Sequence, residues 1–537
     1  MNVVALHRPA KVSGVSTAGL SAARLEAPHT PARPLIIGEA LTDTDVAQSP
    51  LAGAPGVALC TWPKGADAVD QVLAVRDALR SLNVDVVLTN DLPHAFAAAS
   101  LEHYRGTRCA AWLHSASHDG EALVTTCFEL ADAWRAVSHE GRRRALTVAA
   151  ELGLELPPPR ATAPAFIDVP GEPAPLPPLG GDHPLRLLYA ARLEKHHKRV
   201  LDLAHLCDAL AARAVHFHLT IAGEGPAERE LRAALAPHSP RVTFTGAVPP
   251  ARMSHLLHEH HLLLLVSASE AAPMCVMEAM AAARPAAITT SCGEATHWIR
   301  SHSDGLIIPT GDMPALAAAL STLVNSPGAL HAMSSAAHAR ALQLFSPAAR
   351  APALNALFNE AAACPGDHAT PDAITRRWTR TLHALSAIGP FAPERAAHLA
   401  NLWLTELRAV GIDTAEVDLP LSVTPRPSPG ERRLRRTLAH LRQQGRTRLA
   451  LYGCGRHTAA LASAIASTPE LVAIIDDAAG TPHGPPPHIA GKPVLSPAHF
   501  PLLDAHALII SSDEHEREML TRARTFADHV VPLYEAA

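Results

Sequence analysis

The sequence lacks several features that would place it in a particular class at once. No run of about 18 apolar residues occurs in its 537 residues, so we expect no membrane-spanning helix. The first residues contain no basic stretch followed by a long apolar core, and we therefore expect no secretory signal. The formal net charge is only -5, which gives no general reason to expect nucleic acid or an anionic membrane as a partner.

The eight cysteines also lack a recognisable pattern, because they form no CxxC pair and no tight framework. Reduced thiols in a cytoplasmic compartment are the simplest interpretation. The 33 histidines are scattered, apart from a group that accompanies Glu259: His255, His258, His260 and His261. The zinc pattern HExxH fails in this group, because Leu262 occupies the position four after His258. We therefore expect no metal site there.

What is present is a repeated alternation of short apolar strands and helical segments, in a chain long enough for three or four domains. This alternation predicts an α/β fold with doubly wound parallel sheets, in which ligands bind at the carboxyl ends of strands. We place the first domain at residues 1–165 and the second at 183–345, with a proline-rich extended connection at 155–184. A helical return segment and linker (346–430) and a C-terminal domain (431–537) follow.

Several polar or small residues come directly after predicted strands of the first domain. Because the carboxyl ends of parallel strands meet at one edge of a sheet, such residues are candidates for a ligand or acceptor site. These residues are Gly14 in the first loop, Asp91, His94 and His114.

The second domain contains the most informative stretch of the chain, Ser269–Met280. It follows the apolar run Leu262–Val266, which predicts a buried strand, and leads into a helix. We expect this helix to end at Arg284, because a proline comes next. A strand, a loop and a helix in this order aim backbone N–H groups at anionic ligands, and Glu270 and Glu278 would face the same ligand.

An arginine-rich segment between residues 432 and 448 precedes the C-terminal sheet. A helix on a membrane surface and a solvated linker helix are both compatible with this pattern. We favour the solvated linker helix.

The C-terminal domain begins with a strand that leads into a glycine-rich loop. Gly453, Gly455 and Thr458 follow Leu449–Tyr452, and Asp476 ends the next strand. The pattern approximates a dinucleotide-binding fingerprint in which Thr458 replaces the third glycine. The stretch resembles small Rossmann-like domains of bacterial sugar-modifying and sugar-transferring proteins. That resemblance leaves two roles open, a nucleotide site or a domain that only packs and dimerises.

Residues 185–325 resemble the donor-binding half of a retaining, GT-B type glycosyltransferase of family 4. Six ordered segments carry the resemblance: Ala191–Glu194 with Lys198–Arg199, Ile221–Pro226, Phe244–Gly246, Ser269–Met280, Cys292–Glu294, and Asp304–Pro309 with Gly311–Asp312. The first half of the chain matches mainly in layout. The resemblance implies a GT-B core of two Rossmann-like domains facing a cleft, followed by the third, C-terminal Rossmann-like domain.

The resemblance also implies roles for individual residues. Arg192 and Lys198 would neutralise the leaving nucleoside diphosphate, which is the work of a metal ion in other transferases. Glu278 would hold the ribose hydroxyls, and Glu270 would contact the transferred sugar. His114 resembles the active-site histidine of the family, which faces the sugar across the cleft.

Further residues are implied to border the donor, either through a glycine that permits close approach or through a backbone N–H group. Gly14 would approach the phosphate or the acceptor, and Gly246 would border the base. The N–H groups belong to Ala272, Met274 and Cys275. The family most often has glycine where Ala271 stands, so the sugar preference of the family does not carry over.

The expected function is transfer of a sugar from a nucleotide-sugar donor to an acceptor with retention of configuration, in polysaccharide or glycoconjugate biosynthesis. We expect no required cofactor and no metal. The expected partners are the nucleotide-sugar and a glycan, lipid-linked or other small acceptor, in the cytoplasm. Peripheral membrane association and a homo-oligomer formed through the C-terminal domain are further options. Two alternatives are a nucleotide-sugar epimerase of GT-B fold and a non-catalytic nucleotide- or sugar-binding scaffold.

Overall fold

A computed structural model describes residues 1–8, 14–26, 29–49, 51, 54–115, 118–158, 162–366, 370–424, 426–455, 458–459, 461–481, 485–512 and 516–533. The chain forms two compact units, residues 1–425 and 426–537. The first unit contains two six-stranded sheets and the second unit contains one.

The first sheet is wholly parallel. Its strands are β1 (Val3–His7), β2 (Ala32–Glu39), β3 (Ala58–Trp62), β4 (Val86–Leu88), β5 (Arg108–Leu113) and β6 (Ala133–Ala136). The helices between and after them are α1 (Gly14–Ala23), α2 (Asp43–Gln48), α3 (Ala68–Ser81), α4 (Pro93–Glu102), α5 (His118–Cys127) and α6 (His139–Leu152). The strand order β3-β2-β1-β4-β5-β6 reverses between β1 and β4, so the ligand crevice of such a sheet lies outside the carboxyl ends of these two strands.

The second sheet repeats this topology. Its strands are β7 (Leu185–Ala190), β8 (Phe217–Ala222), β9 (Val242–Gly246), β10 (Leu262–Leu265), β11 (Ala286–Thr289) and β12 (Gly305–Ile308). Its helices are α7 (Asp202–Ala212), α8 (Glu228–Ala234), α9 (Pro250–His258), α10 (Met274–Ala281), α11 (Ala295–Trp298), α12 (Met313–Val324) and α13 (Pro327–Phe345). The order β12-β11-β10-β7-β8-β9 places the reversal between β7 and β10.

One strand at each reversal, β1 in the first sheet and β10 in the second, is buried along its whole length. Every residue of Val3–His7 and of Leu262–Leu265 is buried, as expected for parallel strands covered by helices on both faces. One apolar cluster contains side chains of both sheets, including Val86 and Leu263, together with Phe166 from the connecting segment. The two sheets of the first unit therefore share part of their core.

The proline-rich segment between the two sheets is extended and anchored along its length. Proline has no N–H group, and an extended chain does not pair its own carbonyls. Side chains donate to these carbonyls instead. Trp112 Nε1 donates to the carbonyl of Ala163 (2.6 Å), and the guanidinium of Arg284 donates to those of Ala174 (3.0 Å) and Pro175 (2.6 Å).

The predicted end of α10 at Arg284 is wrong, because the helix ends at Ala281. Ala283 has a φ of 58°, which takes the chain out of the helical conformation. The fully buried Arg284 side chain also donates to the carbonyl of Leu257, and its burial lowers the pKa of Arg284 to about 10. Arg284 thus anchors the connecting segment and does not extend the helix.

Three further helices return to the first sheet: α14 (Pro347–Ala362), α15 (Pro371–Ile388) and α16 (Pro393–Ala409). Helix α14 packs on β5 and β6, whereas α15 packs on α4 and α5 and α16 contacts α3. The rings of Trp378 and Trp403 stack with centroids 5.8 Å apart, and Trp403 Nε1 donates to the carbonyl of Leu101. These helices extend the core of the first sheet.

The second unit begins with α17 (Pro429–Gln443), whose first turn carries a capping box between Ser428 and Glu431. Its remaining elements are β13 (Leu449–Tyr452), α18 (Ala462–Ala466), β14 (Leu471–Ile475), β15 (His488–Ile489), β16 (Lys492–Leu495), β17 (Ala507–Ile510), α19 (Glu516–Ala523) and β18 (Val530–Pro532). The strand order is β15-β16-β14-β13-β17-β18, and only β15 is antiparallel to its neighbour.

The predicted α/β class with parallel, Rossmann-like sheets is confirmed. Strands β2 and β3 of the first sheet and β15 and β16 of the second unit were not predicted, for β2 in part because Pro34 interrupts its apolar run. The four predicted domain boundaries stay predictions. Among the described residues, we find no helix whose length and apolarity would let it cross a bilayer.

Candidate functional site

The reversal point of the second sheet carries a close charged pair. Lys198 follows β7 and Glu270 follows β10, the two strands that are neighbours at the reversal. Lys198 Nζ lies 2.5 Å from Glu270 Oε1, and Ser267 Oγ donates to the same oxygen at 2.6 Å. Both charged side chains are mostly buried, with 16% and 9% of their surfaces exposed. Sequence reasoning named Lys198 and Glu270 but missed Ser267, which could have been suspected from its place directly after the strand.

The loop that carries Glu270 is held in place by the loop after β11. The N–H of Glu294 donates to the carbonyl of Ala271 at 3.0 Å. A Cβ atom at Gly293 would lie 2.1 Å from the carbonyl oxygen of Glu270, and Gly293 has a φ of 51°. Ala271 is not among the residues with positive φ, so alanine at this position imposes no left-handed strain.

The start of helix α10 presents free N–H groups beside this loop. Pro273 precedes the helix and gives no side-chain cap. Within the described part of the chain, the N–H groups of Ala272, Met274 and Cys275 donate to no other residue. Unpaired N–H groups at a helix start attract anions, which matches the predicted role of these three positions.

Glu278 lies one turn further along α10. Its half-buried carboxyl group forms no hydrogen bond or ion pair with any residue that the structure describes. Burial raises the pKa of Glu278 to about 7. A carboxyl group kept without a partner in such a position is available to a ligand. Burial and the charge of Glu270 raise the pKa of the neighbouring Cys275 thiol far above its ordinary value, which disfavours the reactive thiolate form.

Arg192 is not joined to Lys198. Its side chain is 68% exposed and forms an ion pair with Glu194 at 2.7 Å. The predicted pair of cations is therefore only half assembled by direct contact, with Lys198 inside the site and Arg192 on its surface. An exposed ion pair contributes little free energy, so the pairing with Glu194 does not fix the orientation of the Arg192 side chain.

Gly246 ends β9 at the same edge of the sheet. Its φ is 70°, and its carbonyl accepts the N–H of Gly223 at 2.8 Å. A Cβ atom at Gly223 would lie 2.0 Å from the carbonyl oxygen of Ala191. Glycine is thus required where the ends of β7, β8 and β9 approach each other.

The reversal point of the first sheet carries two neutral imidazoles joined by an amide, beside the carboxylate of Asp91. His114 Nε2 lies 3.2 Å from Asn90 Oδ1, and Asn90 Nδ2 lies 3.1 Å from His7 Nε2. The backbone N–H of His114 donates to the carboxylate of Asp91, and its ring packs on Trp112. Burial lowers the pKa of His114 to about 3 and that of His7 to about 4, so both rings are uncharged at neutral pH.

His94 does not belong to this group of contacts. Its ring is buried, stacks on Trp62 and lies 2.9 Å from Gln71 Oε1 through Nε2. Burial lowers its pKa to about 4. The structure therefore does not place His94 on an open acceptor surface, whereas Asp91 does lie beside His114.

Helix α1 follows β1, one of the two strands at the reversal of the first sheet. Gly14 is its first residue, and the loop before it, residues 9–13, lies outside the described residues. The helix contacts α10 of the second sheet. A Cβ atom at Gly19 would lie 2.1 Å from His7 Cε1, so the small residue makes room for the buried ring.

A second contact between the two sheets' domains lies at the start of α6. The carboxylate of Glu294, which is almost completely buried, accepts the N–H of His139 at 2.6 Å and lies 2.9 Å from His139 Nδ1. An anion at a helix start is favoured by the helix dipole. Because Glu294 also bonds the loop of Glu270, this contact links the first domain to the loop of the charged pair.

The glycine-rich loop of the second unit is closed by an internal carboxylate. Asp476 Oδ2 accepts the N–H of Cys454 at 2.9 Å, and its other oxygen accepts the N–H of Ala478 at 2.9 Å. Gly453 has a φ of 111°, and no atom of the described residues lies within 4 Å of a Cβ placed at Gly455. The three predicted residues are thus brought together, but the carboxylate of Asp476 is engaged by one N–H of the glycine-rich loop and one of the loop after β14.

The histidine group before β10 has structural partners. His260 lies 2.7 Å from Thr220 Oγ1, and His261 lies between the N–H of Arg186 and the carbonyl of Pro177. The described residues contain no group of three or more metal-binding side chains.

Comparisons with known proteins fit this geometry. Residues 184–326 match the family model for "Glycosyl transferases group 1". Over 146 residues the chain is 31% identical to WcaL of Salmonella typhimurium, whose name assigns it to colanic acid biosynthesis as a glycosyltransferase. The match covers 26% of this chain and 35% of that protein.

Solved structures share the fold. Anabaena Alr3699/HepE in complex with UDP superposes with a TM-score of 0.52, at 16% identity, over 67% of this chain and 100% of that one. A glycosyltransferase from Rickettsia africae gives a TM-score of 0.51, at 13% identity, over 68% of this chain and 99% of that one. The shared architecture is the GT-B arrangement of two Rossmann-like domains.

Proposed function

We propose that the chain is a retaining glycosyltransferase that moves a sugar from a nucleotide-sugar to an acceptor in polysaccharide or other glycoconjugate biosynthesis. The observation that carries the proposal is the reversal point of the second sheet. There a mostly buried Lys198–Glu270 pair lies beside the start of α10, where several N–H groups and the carboxyl group of Glu278 have no partner among the described residues. The match of residues 184–326 to the group 1 glycosyltransferases supports the same function.

The proposed mechanism divides the work among these groups. The diphosphate binds at the start of α10 and beside Lys198. There its negative charge takes over part of the ion pairing with Lys198 that Glu270 provides in the free protein. Glu278 accepts hydrogen bonds from the ribose hydroxyls, and Glu270 orients the sugar.

Transfer then proceeds by front-face substitution. The bond from the anomeric carbon to the phosphate oxygen breaks, and the bond to the acceptor oxygen forms on the same face of the sugar. The leaving diphosphate takes the proton of the acceptor, so no side-chain nucleophile is required. Lys198, assisted by Arg192 when the donor is bound, stabilises the negative charge that develops on the diphosphate.

Lys198→Ala tests the proposal, with Lys195→Ala as the matched control. Lys195 is an exposed lysine of the same loop that pairs with Glu230. Loss of one preorganised charge contact lowers transfer by about 10²-fold. We expect that loss in Lys198→Ala and near-normal transfer in Lys195→Ala, measured by release of the nucleoside diphosphate with and without added acceptor sugars.

The first donors to screen are UDP-sugars, because HepE was solved with UDP. Transfer within a few-fold of the unsubstituted protein in Lys198→Ala would overturn the assignment. We also propose that no metal is required, so full activity is expected in EDTA. An isomerised donor without any acceptor product would indicate the epimerase instead, and binding without any donor turnover would indicate the scaffold.

A further inference from the structure

Three side chains from three neighbouring strands meet at the reversal point of the first sheet. His7 ends β1, Asn90 follows β4 and His114 follows β5. Asn90 is the central member, because its amide contacts both rings. It is buried, and its φ of 43° lies in the left-handed region that asparagine tolerates better than most residues.

A backbone carbonyl fixes the orientation of this amide. The carbonyl oxygen of Leu6 lies 3.3 Å from one end of the Asn90 side chain, and a carbonyl can only accept. That end is therefore the NH₂ group. The other end, the amide oxygen, faces His114 Nε2.

The amide orientation in turn fixes both imidazoles. Because the Asn90 oxygen can only accept, His114 must carry its proton on Nε2 and leave Nδ1 as a lone pair. Because the Asn90 NH₂ group donates to His7 Nε2, His7 must carry its proton on Nδ1. Burial keeps both rings neutral at pH 7, so neither can satisfy the amide by gaining a second proton.

The other ring nitrogen of His114, Nδ1, takes no part in this hydrogen-bond network. Within the described residues it has no hydrogen-bond partner, and the ring is only partly buried. We propose that Asn90 is a positioning residue that holds His114 as the Nε2–H tautomer, leaving Nδ1 to accept a hydrogen bond from a hydroxyl of the bound sugar. The assignment rests on the proposed transferase function, in which His114 faces the sugar.

The tautomers are measured directly with [15N]histidine-labelled protein. Long-range 15N–1H correlation at pH 7 should give Nε2–H for His114 and Nδ1–H for His7, with signals assigned from His114→Gln and His7→Gln. The opposite tautomer of His114, or a fully protonated ring, would overturn the role of Asn90. This result is independent of whether the protein transfers sugar. Failure to bind or turn over any nucleotide-sugar would instead count against the proposed function alone.

Asn90→Gly and Asn83→Gly provide a matched kinetic test. Both asparagines adopt left-handed backbone, with φ values of 43° and 51°, but Asn83 is exposed and lies outside the site. Glycine keeps this backbone unstrained while removing the amide. We expect kcat for transfer to fall about tenfold in Asn90→Gly, the effect of one lost neutral hydrogen bond, and to stay within twofold in Asn83→Gly. Equal kcat in the two variants would overturn the proposal.

Asn90→Asp keeps the shape of the side chain but replaces its NH₂ donor with a second oxygen and adds a negative charge. The titratable groups that face His114 from adjacent strand ends are then His7, Asp91 and the new carboxylate. A carboxylate between two imidazoles favours their protonated forms. We expect the acid limb of the pH profile of kcat to move upward, so that the variant loses activity between about pH 7 and pH 5 while the unsubstituted protein does not. Loss of activity without a moved limb would indicate a purely structural role.

Discussion

The loop before α10 and the glycine-rich loop after β13 look alike in sequence and differ in how their polar groups are satisfied. Each follows a buried strand, leads into a helix and comes with acidic residues. At the start of α10 the N–H groups and the carboxyl group of Glu278 have no partner in the described residues. After β13 the N–H of Cys454 is already bonded to Asp476.

The loop before α10 is therefore available to a ligand, whereas the glycine-rich loop already has hydrogen bonds within the second unit. A buried or half-buried polar group without a partner costs free energy unless a ligand or water completes it. The polar groups of the α10 loop carry this free-energy cost in the absence of a ligand, as expected for a binding site. In the second unit the carboxylate of Asp476 is already bonded to the N–H groups of Cys454 and Ala478, and this favours a structural role for Asp476 over a direct ligand contact.

The largest expected effect comes from displacing the α10 loop. Gly293→Ala places a methyl group 2.1 Å from the carbonyl oxygen of Glu270, so the loop must shift. A misplacement of about 1 Å costs about 10²-fold in rate, and we expect transfer to fall by that factor. Gly181→Ala is the control, because Gly181 has a similar φ of 60° with no atom within 4 Å of its Cβ position. Equal rates in the two variants would show that the loop position does not matter.

An intermediate effect is expected from Glu278→Gln. The substitution removes the carboxylate that we assign to the ribose hydroxyls, so the Kd for the nucleotide-sugar should rise about tenfold, measured by calorimetry. In the unsubstituted protein, donor binding should strengthen as the pH rises through about 7, because the carboxylate is the form that accepts both hydroxyl protons. This dependence should vanish in Glu278→Gln and persist in the control Glu172→Gln, an exposed glutamate.

Protein stability gives an independent check on Glu278. A carboxyl group whose pKa is raised on folding binds its proton more tightly in the folded state. Its stabilising contribution is therefore complete below the ordinary pKa of 4.5 and is lost as the pH rises to about 7. The difference in unfolding free energy between pH 5 and pH 7 should shrink in Glu278→Gln. An unchanged difference would mean that Glu278 is not the unpartnered group described above.

The smallest effect on transfer is expected from Asp476→Asn. This carboxylate accepts the N–H of Cys454 in the glycine-rich loop and the N–H of Ala478 in its own loop, so its loss should lower the free energy of unfolding of the second unit by about 1–3 kcal/mol, measured in urea. Transfer should stay within twofold. The exposed Asp528→Asn serves as the control. Normal stability together with weakened nucleotide binding in Asp476→Asn would contradict this comparison and indicate that Asp476 contacts the ligand.

Most strands and the location of the site could be predicted from local pattern. The uninterrupted apolar run before Ser269–Met280 predicted β10, and the residues after it were the ones found at the reversal point. Predictions from local sequence pattern were wrong where a side chain bonds to a segment far away in the sequence. The helix was predicted to reach Arg284, whose side chain instead anchors the proline-rich segment near Pro175. Strand β2 was missed because Pro34 breaks its run.

The sequence by itself determined which residues stand at the carboxyl ends of strands, since a buried strand, a loop and a helix are encoded within about 20 residues. Only the tertiary structure decided which of these residues are partners. Lys198 meets Glu270 across 72 positions, and Asn90 meets His7 across 83, because the strand order of each sheet makes distant strands neighbours. Among the residues that the structure describes, the same order left Arg192 paired with Glu194 and the carboxyl group of Glu278 without a partner. Hydrogen bonding is settled by distances of about 3 Å, and such distances between distant segments are fixed only when the sheets form.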